Sequence, residues 1–281
     1  MTNHVPPVAS IIIPAHNEAG VIAECLHAIV DEADPREFEV VVVCNGCTDD
    51  TAAIARRVSP LVRVIERAQP GKIGALNEGD AISIAFPRVY LDADVIVDTA
   101  SLRLIAATLS EGEVEAAAPQ IEMNVRSSSW IVRSYYKVWA DMDWADSSVM
   151  GSGCYALSER GRQRFGLFPD VMADDYWVNA QFPRQARRRV EGASSKVLAA
   201  RNLRLLIRRK ARVLAYARLL DSQSADIADQ SAPRGAGLLA MSLGNPRRIP
   251  TILLYVMVAI ITNGLAAWNL RRGRFEWVTD R

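Results

Sequence analysis

The sequence predicts an α/β fold: a mostly parallel central sheet with helices on both faces, followed by one apolar C-terminal helix. Three observations predict it. Through the first third of the chain, short β-branched runs alternate with Ala-, Leu- and Ile-rich segments at helical spacing, the pattern of βαβ units. The first two runs are near-continuous rather than alternating, as strands covered on both faces are, and the third is weaker. Late in the chain, residues 249–270 form a run with no charged residue.

The elements follow in order. Val8–Pro14 (VASIIIP), Phe38–Cys44 (FEVVVVC), Leu61–Glu66 and Arg88–Asp92 (RVYLD) read as successive strands. Glu18–Val30, Asp50–Val58 and Lys72–Ala85 read as the helices between them. Beyond residue 115 the pattern changes. Ser127–Asp146 is an aromatic-rich helix carrying Trp130, Tyr135, Tyr136, Trp139 and Trp144, and Gly151–Ser158 is a glycine-led strand before a short basic helix. Residues 184–218 hold 12 Lys/Arg and one acid, Glu191, with leucines at helical spacing from Leu203 to Leu219, the pattern of a basic amphipathic helix. The polar stretch from Asp221 to Gly237 reads as a linker. The resulting division is a catalytic domain over 1–220, a linker over 221–248, and an apolar helix with a basic tail over 249–281.

With 281 residues, half of them apolar and 23% charged, the composition is globular and excludes a disordered, collagen-like or disulfide-scaffold chain. The net charge of +1 hides an asymmetry. Residues 1–183 hold 14 Lys/Arg against 26 Asp/Glu, and residues 184–281 hold 19 against 6. Different partners are expected for an acidic front and a basic back. Four cysteines do not make a secreted framework, and MTNHVPPVAS shows no secretory signal, so the front is expected in the cytosol. The 249–270 run is just long enough to cross a bilayer core of about 30 Å. A spanning or deeply inserted helix fits it best. An interfacial helix or a buried core helix fits the interruption at Thr262-Asn263-Gly264. Arginines on both flanks leave orientation open. The basic stretch is expected against anionic lipid or a donor phosphate rather than nucleic acid.

In open α/β sheets, ligands bind beyond the carboxyl ends of the strands. The first strand ends in Pro14-Ala15-His16-Asn17-Glu18 and the second in Cys44-Asn45-Gly46-Cys47-Thr48-Asp49. The third helix opens at Gly71-Lys72, and the fourth strand runs into Asp92-Ala93-Asp94. Two carboxylates one residue apart at a strand end can serve a ribose or base with one side chain and a divalent cation with the other. Oxygen ligands suit Mg2+ or Mn2+, which bridge carboxylates to diphosphates. Lys72, at a helix start, adds positive charge for phosphate. Cys44-x-x-Cys47 matches half a zinc site, but no second pair completes it.

The strings SIIIPAHNE, VVCNGCTDDT, GKIGALNEG and YLDAD, in that order, resemble the donor-binding half of family 2 glycosyltransferases of the GT-A fold. GSGCYALSERGRQRFGLFPDVMADDYWV resembles that family's acceptor-side strand and acidic catalytic motif. The resemblance covers about residues 8–212. It implies that Pro14, Asn17 and Glu18 border the nucleotide base, that Asn45 and Asp49 reach base and ribose, and that Lys72 lies near the donor. It implies Asp92 toward the ribose and Asp94 on a Mn2+ or Mg2+ ion. Asp175 of Ala173-Asp174-Asp175-Tyr176 is implied as general base, with Asp174 its alternative because the pair is Asp-Asp rather than Glu-Asp. The implied reaction is inverting transfer of a sugar from a UDP- or GDP-linked donor to a hydroxyl of a glycan, lipid-linked or small-molecule acceptor. Its implied place is cell-envelope or polysaccharide biosynthesis at the cytoplasmic face of the cell membrane. Asn45 stands where many members have an acid. Arg208-Arg209-Lys210-Ala211-Arg212 lacks the Gln-x-x-Arg-Trp pattern of processive synthases, so single-sugar transfer is expected. The rival readings are a catalytically inactive, membrane-tethered nucleotide-sugar-binding protein and a sugar nucleotidyltransferase.

Overall fold

The computed structural model describes residues 6–141, 148–223 and 248–272. Trp144 and most of the expected linker lie outside the described residues.

The chain divides into two compact units: Met1–Glu122 with Asp146–Val197, and Met123–Ala145 with Leu198–Arg281. The first unit opens with strand β1 (Ala9–Ala15), helix α1 (Ile22–Val30), β2 (Phe38–Asn45), α2 (Thr51–Val58), β3 (Val62–Arg67), α3 (Lys72–Ile82) and β4 (Arg88–Leu91). These are the four strands and three helices the sequence predicts, with ends shifted by a few residues. β5 (Val95–Ile96), α4 (Thr99–Ser110) and β6 (Ala116–Asn124) follow. Helix α5 (Trp130–Ala140) belongs to the second unit. The chain then returns through β7 (Cys154–Leu157), α6 (Glu159–Arg162), α7 (Asp174–Ala180) and β8 (Arg187–Leu198).

Among the described residues the strands form one eight-stranded sheet in the order β3-β2-β1-β4-β7-β6-β8-β5. β3, β2, β1 and β4 are parallel, and β7 runs antiparallel to β4. The apolar runs are explained by burial on both faces. Ile11 and Ile13 of β1 pack with Leu26 of α1 and Leu102 of α4, while Ile12 between them packs with Leu76 of α3 and Tyr90. Val40 and Val42 of β2 join the first cluster, and Val41 and Val43 meet Ala75 on the other side.

The reversal at β7 positions the site. Leu91, the last residue of β4, is paired with Cys154, the first of β7. The loop that enters β7 therefore lies beside the loop that leaves β4, and the Asp92 N–H donates to the Gly153 carbonyl at 2.8 Å.

The basic stretch is not one helix. Its first part is β8, and only the second part is helical, as α8 (Leu203–Gln223). In β8 the long basic side chains divide between the two environments of a strand, with Arg187 buried and Arg188 exposed.

The second unit brings together α5, α8 and α9 (Ile249–Arg272). Val132, Tyr135 and Val138 of α5, Leu206 of α8, and Ile252, Tyr255 and Val258 of α9 form its core. The Tyr135 and Tyr255 rings stack at 4.8 Å, and Lys210 Nζ sits 5.4 Å from the Tyr135 ring centre. α9 is long and apolar enough to cross a membrane, and it runs unbroken through Thr262-Asn263-Gly264. Asn263 Nδ2 donates to the Ala259 carbonyl one turn back, at 2.8 Å, which satisfies that amide inside an apolar helix. Leu253, Met257, Ile260, Ile261 and Trp268 of α9 are exposed.

Candidate active site

The carboxyl ends of β1, β2 and β4, the start of α3, and the loops around β7 and α7 carry the residues singled out from the sequence. The structure gathers some of them into one electrostatic cluster and uses others to brace the loops.

Lys72, Asp92 and Asp174 form the cluster. Lys72 Nζ lies 2.6 Å from Asp92 Oδ1 and 2.7 Å from Asp174 Oδ1. Asp174 is almost fully buried, and its Oδ2 accepts from the Tyr155 hydroxyl at 3.0 Å. Asp92 keeps 37% of its side-chain surface exposed, so it stands at an open edge of the cluster. Loss of water around the Asp92 carboxyl raises its pKa, Lys72 pulls it down, and Asp174 and Asp94 push it up, which together leave it at about 6. Burial works against the charge on Lys72, but Asp174 and Asp92 outweigh it and hold the ammonium protonated. Asp94 is half-buried in the turn between β4 and β5.

Asp175 is the next residue on α7. Its Oδ2 accepts from the Gly151 N–H at 2.8 Å and its Oδ1 from the Tyr176 N–H at 2.8 Å. Burial raises its pKa, and the neighbouring Asp174 raises it further. The two backbone donors and Lys72 oppose that shift. A carboxyl moved up in this way is better matched to taking a proton near neutral pH.

The remaining residues knit the loops. Asn45 is buried; its Nδ2 donates to the Ala15 carbonyl at 2.9 Å, and its Oδ1 accepts from the Gly71 N–H at 2.9 Å. Its amide thus ties the ends of β1 and β2 to the start of α3. Asn17, at φ 55°, accepts from the Thr48 N–H at 2.8 Å. Glu18 N–H donates to the Thr51 hydroxyl at 2.8 Å. Asp49 accepts from Thr51 N–H at 3.1 Å and Ala19 N–H at 3.2 Å. Desolvation opposes ionisation of Asp49, but hydrogen bonds from the Thr51 hydroxyl and amide and from Ala19 hold its carboxyl below the usual range. Pro14 is buried in β1 opposite Val43. The four cysteines are free thiols.

Among the described residues no group of three or more His, Cys, Asp or Glu side chains forms a metal site on its own. Asp92 and Asp94 offer oxygen only. That donor set fits Mg2+ or Mn2+, which take one or two carboxylates and complete their shell with water and substrate phosphates.

Residues 10–150 match the sequence profile described as Glycosyl transferase family 2. The chain belongs to this family. Relatives include the glycosyltransferase AglE of Haloferax volcanii, 32% identical over 134 residues, which are 46% of this chain and 44% of that protein. A PGL/p-HBAD biosynthesis glycosyltransferase of Mycobacterium tuberculosis is 33% identical over 112 residues, 38% of this chain and 43% of the relative. The chain thus spans less than half the length of these curated relatives. Among solved structures, a mannosyltransferase from Pyrobaculum calidifontis in complex with GDP-Man and Mn2+ superposes with a TM-score of 0.66. It is 21% identical and covers 96% of this chain and 89% of its own. Glucosyl-3-phosphoglycerate synthase from M. tuberculosis, in complex with Mg2+ and UDP, gives 0.52 at 21% identity over 76% and 78% of the two chains. These likenesses establish the GT-A fold.

Two residues of this candidate site are not legible from motifs. Tyr155, inside the β7 string, holds Asp174 through its hydroxyl. Arg189 of β8 bonds two carbonyls close to Asp175, among the many arginines of a basic stretch.

Proposed function

We propose that this protein is an inverting, metal-dependent glycosyltransferase that moves a sugar from a nucleoside-diphosphate donor to a hydroxyl acceptor. The observation that carries the reading is the Lys72 bridge, which unites Asp92 at the end of β4 with the acidic motif on α7. The GDP-Man, UDP, Mn2+ and Mg2+ held by structures of the same fold support a nucleotide-linked donor and a divalent cation.

In this reading Pro14, Asn17, Glu18, Asn45 and Asp49 shape the nucleotide end of the pocket, Asp92 faces the ribose, and Lys72 faces the diphosphate. Asp94 would hold the cation, which would neutralise charge on the departing diphosphate. Asp175 accepts the proton of the acceptor hydroxyl as its oxygen attacks the anomeric carbon. The carbon–oxygen bond to the diphosphate breaks on the opposite face, the configuration inverts, and a nucleoside diphosphate leaves. Asp175 is preferred to Asp174 as base because Asp174 is almost fully buried and pinned by the Lys72 ammonium and the Tyr155 hydroxyl, whereas Asp175 is half-buried and held by backbone N–H groups.

In this reading the chemistry belongs to the first compact unit within residues 1–220, 221–248 would serve as a linker, and 249–281 would be a membrane-associated segment at the cytoplasmic face, acting on envelope or polysaccharide acceptors. α9 suits the plane of the interface better than a spanning position. One of its faces is packed on α8 and α5, and α8 carries Arg204, Arg208, Arg209, Lys210, Arg212 and Arg218. Each such charge costs roughly 2.5–3.5 kcal/mol at the centre of a bilayer. The exposed Leu253, Met257, Ile260, Ile261 and Trp268 are the lipid-facing side chains.

The test is turnover of nucleotide sugars by the intact protein with Mn2+, following release of nucleoside diphosphate. A thermal-shift screen of UDP, GDP and their sugars selects the donor, since a bound ligand stabilises the native state by RT ln(1 + [L]/Kd). Asp94→Ala and Asp175→Asn should fold and lose turnover. Full activity in both variants would sink the assignment.

A further inference from the structure

One peptide group stands between a half-buried guanidinium and Asp175. Arg189 donates from Nη2 to the Met150 carbonyl at 2.5 Å and from Nη1 to the Pro119 carbonyl at 2.7 Å. The N–H of the same Met150–Gly151 peptide donates to Asp175 Oδ2 at 2.8 Å. Gly151 lies at φ 78°, where side-chain-bearing residues rarely sit, so the turn that presents this N–H depends on glycine. The rigid fork of a guanidinium reaches two carbonyls in different segments, which a lysine does not reproduce.

We propose that Arg189 is the positioning residue for Asp175: it fixes and polarises the Met150–Gly151 peptide, whose N–H then holds the Asp175 carboxylate in place. The inference rests on the reading of Asp175 as the base. Hydrogen bonds in series polarise one another, so a cation on the carbonyl strengthens the N–H as a donor to an anion. The partial burial of Arg189 gives a second reason. Loss of water lowers its pKa to about 10, and the charge on Asp175 is what works against that loss. A cation that served only to brace two neutral carbonyls would carry the same burial penalty without an electrostatic partner.

The charged and titratable groups facing Asp175 are Asp174 beside it on α7, Lys72 on α3, Tyr155 on β7 and Arg189 on β8. Arg189 and Lys72 favour the carboxylate, and Asp174 disfavours it. Removing the Arg189 charge must therefore raise the pKa of Asp175.

The experiment is a titration of the full-length protein labelled with 13C at aspartate Cγ, with the Asp175 signal assigned by its loss in Asp175→Asn. In Arg189→Gln the Asp175 midpoint should rise by about half a pH unit or more, and Arg189→Lys should restore part of the shift. With GDP-Man or UDP-Glc as the donor turned over, the acid limb of kcat should move by the same amount, with KM for the donor unchanged. An unmoved midpoint in a folded Arg189→Gln overturns the proposal. Should that variant fail to fold, Arg189→Met, whose apolar chain suits a half-buried position, decides by the same measurement. Failure of both to fold also overturns it, because it would make Arg189 a support of the fold. If instead Asp175→Asn keeps full turnover while the midpoint shift appears, the positioning link stands and the base assignment falls.

Discussion

Lys72 Nζ lies 2.7 Å from Asp174 Oδ1 while contacting Asp92 Oδ1 at 2.6 Å, so a single ammonium separates two carboxylates that come from distant parts of the chain. Lys72→Met would leave those carboxylates facing each other. Breaking a fully buried pair costs about 3–5 kcal/mol; with Lys72 and Asp92 partly exposed, a loss on the order of 2 kcal/mol is expected. Urea unfolding of the single variant and of Lys72→Met/Asp92→Asn checks it. The double variant should recover much of the loss, and equal stabilities for the wild type and Lys72→Met would contradict the prediction.

Asn45 acts through its amide on backbone groups of three segments. Asn45→Asp would point a carboxylate oxygen at the Ala15 carbonyl that now accepts a hydrogen bond. Asn45→Ala should cost about 1–3 kcal/mol, the cost of leaving buried partners unpaired, and Asn45→Asp at least as much. Calorimetric Tm values, with nucleoside diphosphate affinity as a second readout, measure both. Stabilisation by the acid would show that the loops rearrange around it.

Gly46 lies at φ 60°, and a Cβ there would come within 2.9 Å of the Pro70 backbone nitrogen. Gly112 has a positive φ as well, 78°, but open space around it. Gly112→Ala should therefore cost about 1 kcal/mol from backbone strain alone. Gly46→Ala adds a collision with the segment that leads into Lys72. It should lose more stability and weaken nucleotide binding severalfold, as isothermal titration would record. Equal behaviour of the two variants would refute the distinction.

Asp80 supplies a pH dependence that belongs to the fold rather than the site. It is buried against Arg88 at 2.7 Å and Arg162 at 2.8 Å and accepts from the Tyr90 hydroxyl at 2.5 Å. Burial alone would raise its pKa, but hydrogen bonds from Arg162, Tyr90 and Arg88 outweigh burial and hold it below the ordinary value. With the folded pKa lowered, this stabilisation is fully present above the unfolded value of about 3.9 and is lost as pH falls through the folded one. Asp80→Asn should be less stable than wild type by about 3–5 kcal/mol at pH 7. The gap should narrow only below about pH 4, as denaturation at pH 7, 4 and 3 would reveal. A gap already closed at about pH 5 would contradict the sign.

The donor half of the fold is legible in the sequence because β1 and β2 are buried on both faces and written mostly in Val, Ile and Ala, and the weaker runs of β3 and β4 flank them. The chemistry follows from it, since Lys72 and Asp92 fall at element ends. The acidic motif on α7 is legible as a motif, but its meeting with Lys72 depends on the β4–β7 pairing, which local pattern does not encode. β8 is hidden for another reason. Its inward positions include Arg187 and Ser195, so the usual alternation of apolar and polar residues is missing. Arg189 is lost in the same way, because nothing local separates the arginine beside Asp175 from those on the surface. Asn45 and Asp49 show the converse. Their types suggest ligand contact, yet the structure gives them backbone partners.

The antiparallel course of β7 has a consequence for how this molecule can diversify. Loops leaving β1, β2 and β4 are anchored by ladders in continuous register, and lengthening one would tug on its neighbours. The segment that enters β7 arrives from the opposite chain direction and is registered against β4 only from Cys154 onward. Under the proposed function, insertions ahead of Met150 would alter the side of the site beside α7 without disturbing the parallel ladders. The fold thus leaves the chain ahead of Met150 less tied to the parallel ladders than the loops that leave β1, β2 and β4.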